Sequence, residues 1–162
     1  ARVVGYRNRV RDLIVFQCDA NYVCLPANVA RATLEGATLG IDVRGAAIQL
    51  RASLDLAHPH DDATGNLLPR RARQHGVLGI DYRAAAWRAG AELVAAGERY
   101  DDAANRVRLP GYALVNLTAE WSALPSLTVY LRADNVFDRD YQLAAGYATG
   151  GATVQAGLRW RI

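Results

Sequence analysis

Hydrophobic and polar residues alternate along this chain with a period of two. In the last eleven residues, Val154, Ala156, Leu158, Trp160 and Ile162 share one face, and Thr153, Gln155, Gly157, Arg159 and Arg161 share the other. The same separation recurs upstream. Ile48, Leu50, Ala52, Leu54 and Leu56 oppose Gln49, Arg51, Ser53 and Asp55, and Leu78, Ile80 and Tyr82 oppose Gly79, Asp81 and Arg83. Trp87, Ala89, Ala91, Leu93 and Ala95 oppose Arg88, Gly90, Glu92 and, less cleanly, Val94. Val115, Leu117, Ala119 and Trp121 oppose Asn116, Thr118 and Glu120; Leu127, Val129, Leu131 and Ala133 oppose Thr128, Tyr130, Arg132 and Asp134. Two earlier segments, roughly 3–16 and 28–43, are longer and less regular, although Leu39, Ile41 and Val43 alternate well with Gly40 and Asp42. Strict alternation is the signature of strands with two unlike faces, and about eight strands are predicted.

The connections are unequal. Short links fall near Arg44-Gly45, Arg83-Ala84-Ala85 and Ala123-Leu124-Pro125, and long ones occupy about 17–28, 57–71, 98–110 and 136–151. In an antiparallel up-and-down meander, successive connections fall on opposite ends, so the long loops gather at one end and the short turns at the other. The five prolines are expected in connections or at strand starts, where a missing N–H does least harm.

The aromatic residues distinguish two architectures with this pattern. Trp87, Trp121 and Trp160 each lie on the apolar face within a few residues of a short turn or of residue 162, and Tyr82 joins them. One ring of amphipathic aromatics at one level is what a bilayer interface requires. In a soluble β-sandwich the apolar faces would point inward, and the tryptophans would have no reason to share a level. The opposite face carries Arg51, Asp55, Asp81, Arg88, Glu92, Glu120, Arg132 and Arg159, which a dry core would not tolerate and a watered barrel interior accepts. The pattern therefore predicts an all-β fold of antiparallel, up-and-down transmembrane β-barrel strands, with the apolar faces toward outer-membrane lipid.

Composition changes this picture little. The 162 residues suffice for one domain, and the net charge of +3 comes from 19 basic residues, all arginine, scattered among 16 acids. No basic block with interleaved aromatics appears, so nucleic acid is not an expected partner. No apolar run reaches the length of a spanning helix, and no basic-then-apolar leader opens the sequence. His58 and His60 in "HPHDD" have a spacing compatible with a metal, yet nothing nearby supplies further ligands, and no metal or cofactor is expected. Asp61-Asp62 and Asp101-Asp102 read as solvated loop acids, with weak calcium binding as the alternative. No Gly-x-Ser-x-Gly, phosphate loop or Cys/His relay occurs. His75 is the only histidine expected within a strand, and Ser53, Ser122 and Ser126 make no recognisable pair with it, so an enzyme is not expected.

The run "NVFDRDYQ" at 135–142, followed by "GYATGG" and an alternating closing strand, resembles the C-terminus of TonB-dependent outer-membrane receptors. Their last strands carry an Asn-Leu-Phe-Asp-x-x-Tyr run, a Gly-rich loop and a terminal strand. "RNRVRDLIVFQ" resembles their strand with an Asp-Leu-Ile motif, "RATLEGATLGIDV" the strand after it, and "DDATGNLLPRRARQH" a loop leading into the next. The resemblance extends over essentially the whole chain and is greatest to the cobalamin (vitamin B12) transporter branch. Two departures are the Gly36-Ala37-Thr38 of the second strand, where Gly-Val-Glu is frequent, and Ile162 behind Trp160 in place of a final aromatic.

Several expectations follow from the resemblance. Such receptors have a 22-stranded barrel filled by an N-terminal plug that contacts TonB, so residues 1–162 would be the C-terminal part of the barrel, without the plug, and would not transport alone. The location implied is the bacterial outer membrane. The function implied is TonB-coupled uptake of a large, scarce nutrient, foremost cobalamin, with an iron chelate (siderophore) as the alternative and an eight-stranded structural or porin-like barrel as a further one. Asn135 and Asp138 are expected to make turns where the strand leaves hydrocarbon, with Phe137 and Tyr141 packed at the loop base. Tyr22, Arg70, Arg71, Arg99, Tyr100 and Tyr147 are the loop candidates for ligand contact. Cys18 and Cys24, placed at the tip of the first long loop, are expected to form a disulfide if that loop faces the oxidising exterior.

Overall fold

The computed structural model describes residues 1–18 and 23–161, and these residues contain strands, turns and loops but no helix. Eight long strands form one antiparallel sheet: β1 (Arg2–Cys18), β2 (Cys24–Arg44), β3 (Ile48–Asp61), β4 (Gln74–Ala84), β5 (Trp87–Ala96), β8 (Tyr112–Leu124), β9 (Leu127–Asp134) and β10 (Thr153–Trp160). Each pairs with the next in chain order, which is the predicted meander. Two short strands, β6 (Arg99–Tyr100) and β7 (Arg108–Leu109), form a separate ribbon within the loop between β5 and β8.

Among the described residues no second layer covers the sheet. Among the described residues only Val29, Ala32, Leu68, Ala96 and Leu109 are buried apolar residues, so the fold has no interior of the kind that stabilises a sandwich. The apolar side chains instead lie in the open on one face. Leu54, Leu78, Ile80, Leu117, Leu131 and Leu158 are all exposed there, and so are Tyr82, Trp87, Trp121 and Trp160. Trp87 and Trp121 are direct cross-strand partners, stacked at 5.6 Å. Trp160 pairs with Leu127, the first residue after the β8–β9 turn, and Tyr82 pairs with Ile48, the first after the β2–β3 turn. The four aromatics thus share one face and one level beside the short turns.

The strands differ in length more than the alternation indicated. A tilted strand crosses hydrocarbon in about 9–11 residues, so β4 and β5, at 11 and 10 residues, are cut to one bilayer. With 17, 21 and 14 residues, β1, β2 and β3 overshoot it at the long-loop end. The expected loop at 17–28 is therefore mostly strand: the register runs unbroken to Phe16 opposite Pro26 and Cys18 opposite Cys24. Cys18 and Cys24 end two strands instead of sitting at a loop tip, and their side chains, with all of Tyr22, lie outside the described residues. Likewise β3 continues to Asp61, which places His58 and His60 in a strand and corrects the view of His75 as the only strand histidine.

Two prolines fall inside strands, against expectation, and the pairing explains both. The β2–β3 register ends at Ala32 opposite Asp61, so Pro26 lies beyond it with a strand on one side only. At Pro59 the sheet uses the carbonyl, which accepts a hydrogen bond from Leu68 N at 2.9 Å; the missing N–H is not needed.

Candidate functional site in the braced outer loops and polar inner face

The inner face is a ladder of polar side chains whose positions follow from strand parity. Thr38 Oγ1 donates to Asp55 at 2.6 Å, and Arg51 pairs with Asp81 at 2.7 Å. Asn116 Nδ2 donates to Glu92 at 3.2 Å, and Glu120 lies between Arg88 and Arg159 at 3.8 and 3.7 Å. His75 Nδ1 lies 3.8 Å from Asp55. The Tyr130 ring lies across Gly157, where a Cβ would collide with it, and the Arg159 guanidinium sits 5.9 Å from that ring. Each charged group here is solvated or paired, as a water-filled lumen allows and a dry core does not.

At the end opposite the short turns, three loops lean on one another. Residues 62–73 and 97–111 are joined through Asn105, which sits at φ 57 and uses its side-chain amide as a strand would use its backbone. Its Oδ1 accepts from Leu67 N at 2.8 Å and its Nδ2 donates to Leu67 O at 2.9 Å. Asn66 Nδ2 donates to Ala103 O at 3.0 Å. Arg70 Nε donates to Asp101 at 2.6 Å, and Arg70 N donates to Tyr100 O at 2.6 Å. The loop 135–152 joins through Arg99, whose Nη2 donates to Gln142 O at 2.5 Å, and through Tyr112 against Tyr141 at 4.5 Å. Among the described residues Leu68 and Leu109 are the largest fully buried side chains, and Leu68 packs with Val29 and Ala32 of β2.

These contacts sort the five loop candidates that the structure describes; Tyr22 lies outside the described residues. Arg70, Arg99 and Tyr100 are framework: Arg70 clamps Asp101, Tyr100 belongs to β6, and Arg99 is only 4% exposed. Arg99 Nη1 is buried with no hydrogen-bond partner in the described structure, and the guanidinium lies 5.3 Å from the Tyr112 ring, a cation–π placement that offsets part of that cost. Arg71 and Tyr147 are exposed and take no part in this bracing, Tyr147 being 66% exposed. Asp101 and Asp102 are not solvated acids. Asp101 is 8% exposed under Arg70, and Asp102 accepts from the N–H groups of Arg106 and Val107. Asp61 likewise accepts from Ala63 N. The sequence offered one signal for this bracing: Asn and Asp residues in short polar runs, the types that bond backbone and tolerate positive φ.

The turn after β9 is built as its residues imply. Asn135 is 5% exposed at φ 51, its Oδ1 accepting from Arg139 N at 2.9 Å and its Nδ2 donating to Arg139 O at 3.0 Å. Asp138, at φ 50, accepts from Ala152 N at 2.8 Å and ties the far end of the loop to its start. Tyr141 packs at the loop base, but Phe137 does not: it is 78% exposed because the turn projects it outward. Among the described residues no three metal-binding side chains converge. His58 and His60 lie at 4.8 Å on the apolar-parity side of β3, where His60 faces Asp62 at 3.5 Å.

Residues 1–136 match the family described as "TonB dependent receptor-like, beta-barrel". The chain belongs to this receptor family. It is 29% identical over 143 residues to the vitamin B12 transporter BtuB of Photobacterium profundum, covering 86% of this chain and 24% of the relative. Its similarity to the same transporter of Vibrio vulnificus is 27% over 160 residues, covering 98% of this chain and 25% of the relative. Among solved structures, the copper transporter OprC superposes with a TM-score of 0.79 at 21% identity, over 98% of this chain and 27% of that one. The siderophore receptor PiuA from Acinetobacter baumannii superposes at 0.77 and 21%, over 97% of this chain and 25% of that one. At those identities the two structures speak for the fold alone. The chain spans about a quarter of the length of the curated relatives it matches. As a member of this family it resides in the bacterial outer membrane, with its strands as part of a transmembrane barrel wall.

Proposed function

We propose that residues 1–162 are the C-terminal wall of a 22-stranded, plug-filled receptor that takes up cobalamin in a TonB-coupled manner. The observation that supports this most is the fixed outer rim. Asn105, Asp101 and Arg99 hold three loops in one arrangement, so the surface they present is pre-formed, and pre-formed surfaces spend less of their binding energy on ordering. The similarity to a vitamin B12 transporter over most of the chain supports cobalamin as the cargo. Arg71 and Tyr147 are the residues proposed to meet it, by hydrogen bonding and stacking on a large ring system; Arg70, Arg99 and Tyr100 hold the rim. Trp87, Trp121, Trp160 and Tyr82 form the membrane-interface belt on the side of the short turns, and TonB acts through the plug of the whole receptor.

Shortening loops 62–73 and 101–107 in the intact receptor leaves insertion unchanged, because the sheet pairing and the aromatic belt lie elsewhere, and weakens cobalamin binding. Cells that depend on this receptor then grow poorly on limiting cobalamin and normally under iron starvation. The reverse pattern assigns an iron chelate as cargo. If both growth phenotypes are unchanged while passive entry of a small hydrophilic solute falls, the protein is a porin-like channel.

A disulfide between Cys18 and Cys24 is the second element of the proposal, supported by their direct opposition across β1 and β2 at the outer end. Under non-reducing conditions the segment containing both should be two hydrogens lighter by mass spectrometry than after reduction. Full thiol labelling without reductant sinks the bond.

A further inference from the structure

The outward face changes character abruptly along β1, β2 and β3. Near the short turns it carries Val3, Leu39, Ile41, Val43, Ile48 and Leu54, all exposed and apolar. About ten residues above the turn, where a tilted strand has crossed the hydrocarbon, the same parity presents charge. Arg7, Arg9 and Arg11 on β1 lie directly opposite Glu35, Thr33 and Arg31 on β2. Glu35 and Thr33 in turn face His58 and His60 on β3. The register is unbroken over these residues, so the arginines point to the same side as the leucines below them, away from the lumen. They stand at headgroup height, facing the membrane.

Among the described residues the arginines are only partly neutralised. Arg7 pairs with Glu35 at 3.2 Å. Asp62 is engaged by His60, and the Asp61 carboxylate accepts from Ala63 N. Among the described residues no carboxylate lies within ion-pairing distance of Arg9, Arg11 or Arg31, which are all exposed. Arg11 and Arg31 are direct cross-strand partners, and like charges so placed repel. With Arg7 and Arg9 they line an open cleft of about 610 Å³ to which His60, Asp61 and Asp62 also contribute. A surface of this kind is stabilised by an anion that bridges the guanidiniums, and phosphate oxygens match their fork geometry.

We infer that Arg7, Arg9, Arg11 and Arg31 form a binding site for the phosphate groups of an outer-leaflet glycolipid. The direction of the side chains selects the source: they face the lipid, continue an apolar face that acyl chains cover, and turn away from the lumen and its cargo. The inference rests on the outer-membrane placement and is independent of which nutrient is carried. It also accounts for the excess length of β1 and β2, which lifts these residues to the headgroup layer.

The test uses the intact receptor in detergent micelles and its Arg9→Gln/Arg11→Gln/Arg31→Gln variant, with heat-modifiable electrophoretic mobility confirming that both are folded barrels. The probes are bisphosphorylated lipid A, the same lipid after phosphatase treatment, and inorganic phosphate. The native receptor should bind bisphosphorylated lipid A about tenfold or more tightly than the variant, while the dephosphorylated lipid binds both equally and weakly. Arg83→Gln, at the opposite end, should match the native receptor. Equal binding of native and variant overturns the site, as does native binding that ignores the phosphates. Displacement of the lipid by millimolar inorganic phosphate would identify a free-anion site and overturn the lipid assignment.

Discussion

Leu131→Arg lowers folding stability of the intact receptor by about 2–4 kcal/mol, whereas Gln49→Arg costs less than about 1 kcal/mol. Leu131 sits midway along β9, opposite Ala119 on one side and Ala156 on the other, and its side chain is exposed on the apolar face. A guanidinium there is carried to the middle of the hydrocarbon, with alanines as its direct cross-strand partners and apolar side chains around it. Gln49 has the opposite parity. Its amide already donates to Asp42 at 3.3 Å, so an arginine placed there meets water and a carboxylate. The comparison is made by urea unfolding from lipid vesicles, followed by tryptophan fluorescence and protease protection. Equal losses at both positions would mean that the two faces see the same medium, and the membrane assignment of the apolar face would fall.

The same contrast explains which parts of the structure were legible from sequence. Strand parity is local: a residue such as Arg51 or Leu50 is assigned to a face by its immediate neighbours, and all eight strands and their meander follow. The aromatic level was legible for the same reason, since Trp87 and Trp121 needed only their distance from a turn. Strand ends were not. Alternation fades in β1 and β2 because, above the hydrocarbon, neither face meets acyl chains and selection for apolar residues on one side lapses. Residues such as Gln17 and Pro26, within 17–28, then resemble loop, although backbone pairing continues through them. His-Pro-His at 58–60 misled for a different reason: the sheet requires only the carbonyl of Pro59.

The loop site was legible in residue type but not in role. Arginines and tyrosines in long loops suggest ligand contact, and for Arg71 and Tyr147 exposure keeps that reading open. Arg99 and Arg70 were indistinguishable from them in sequence, because what separates the two groups is contact at long range. Gln142 lies 43 residues from Arg99, and Asp101 lies 31 from Arg70. Asn135 was the exception, since its bonds close within four residues of chain.

That locality makes Asn135 the position where a conservative change should do most damage to the rim. Asn135→Ala forfeits both side-chain bonds to Arg139 and places an alanine at φ 51, where asparagine is tolerated and alanine is not. The combined cost is about 2–4 kcal/mol of local stability. Asn135→Gly relieves the backbone but not the lost bonds, and Asn135→Asp keeps the acceptor to Arg139 N, so the expected order of damage is Ala, then Gly, then Asp. Backbone hydrogen exchange at 136–142 should rise in that order. The effect should also reach the lumen, because Asn135 N donates to Asn116 Oδ1 at 3.0 Å and Asn116 donates to Glu92. A loosened turn frees the Asn116 amide to rotate and weakens its bond to Glu92, coupling rim order to the polar inner wall. If exchange in 136–142 is unchanged in Asn135→Ala, the turn is held by Asp138 and its bond to Ala152 N instead, and Asp138→Ala becomes the variant that releases the loop.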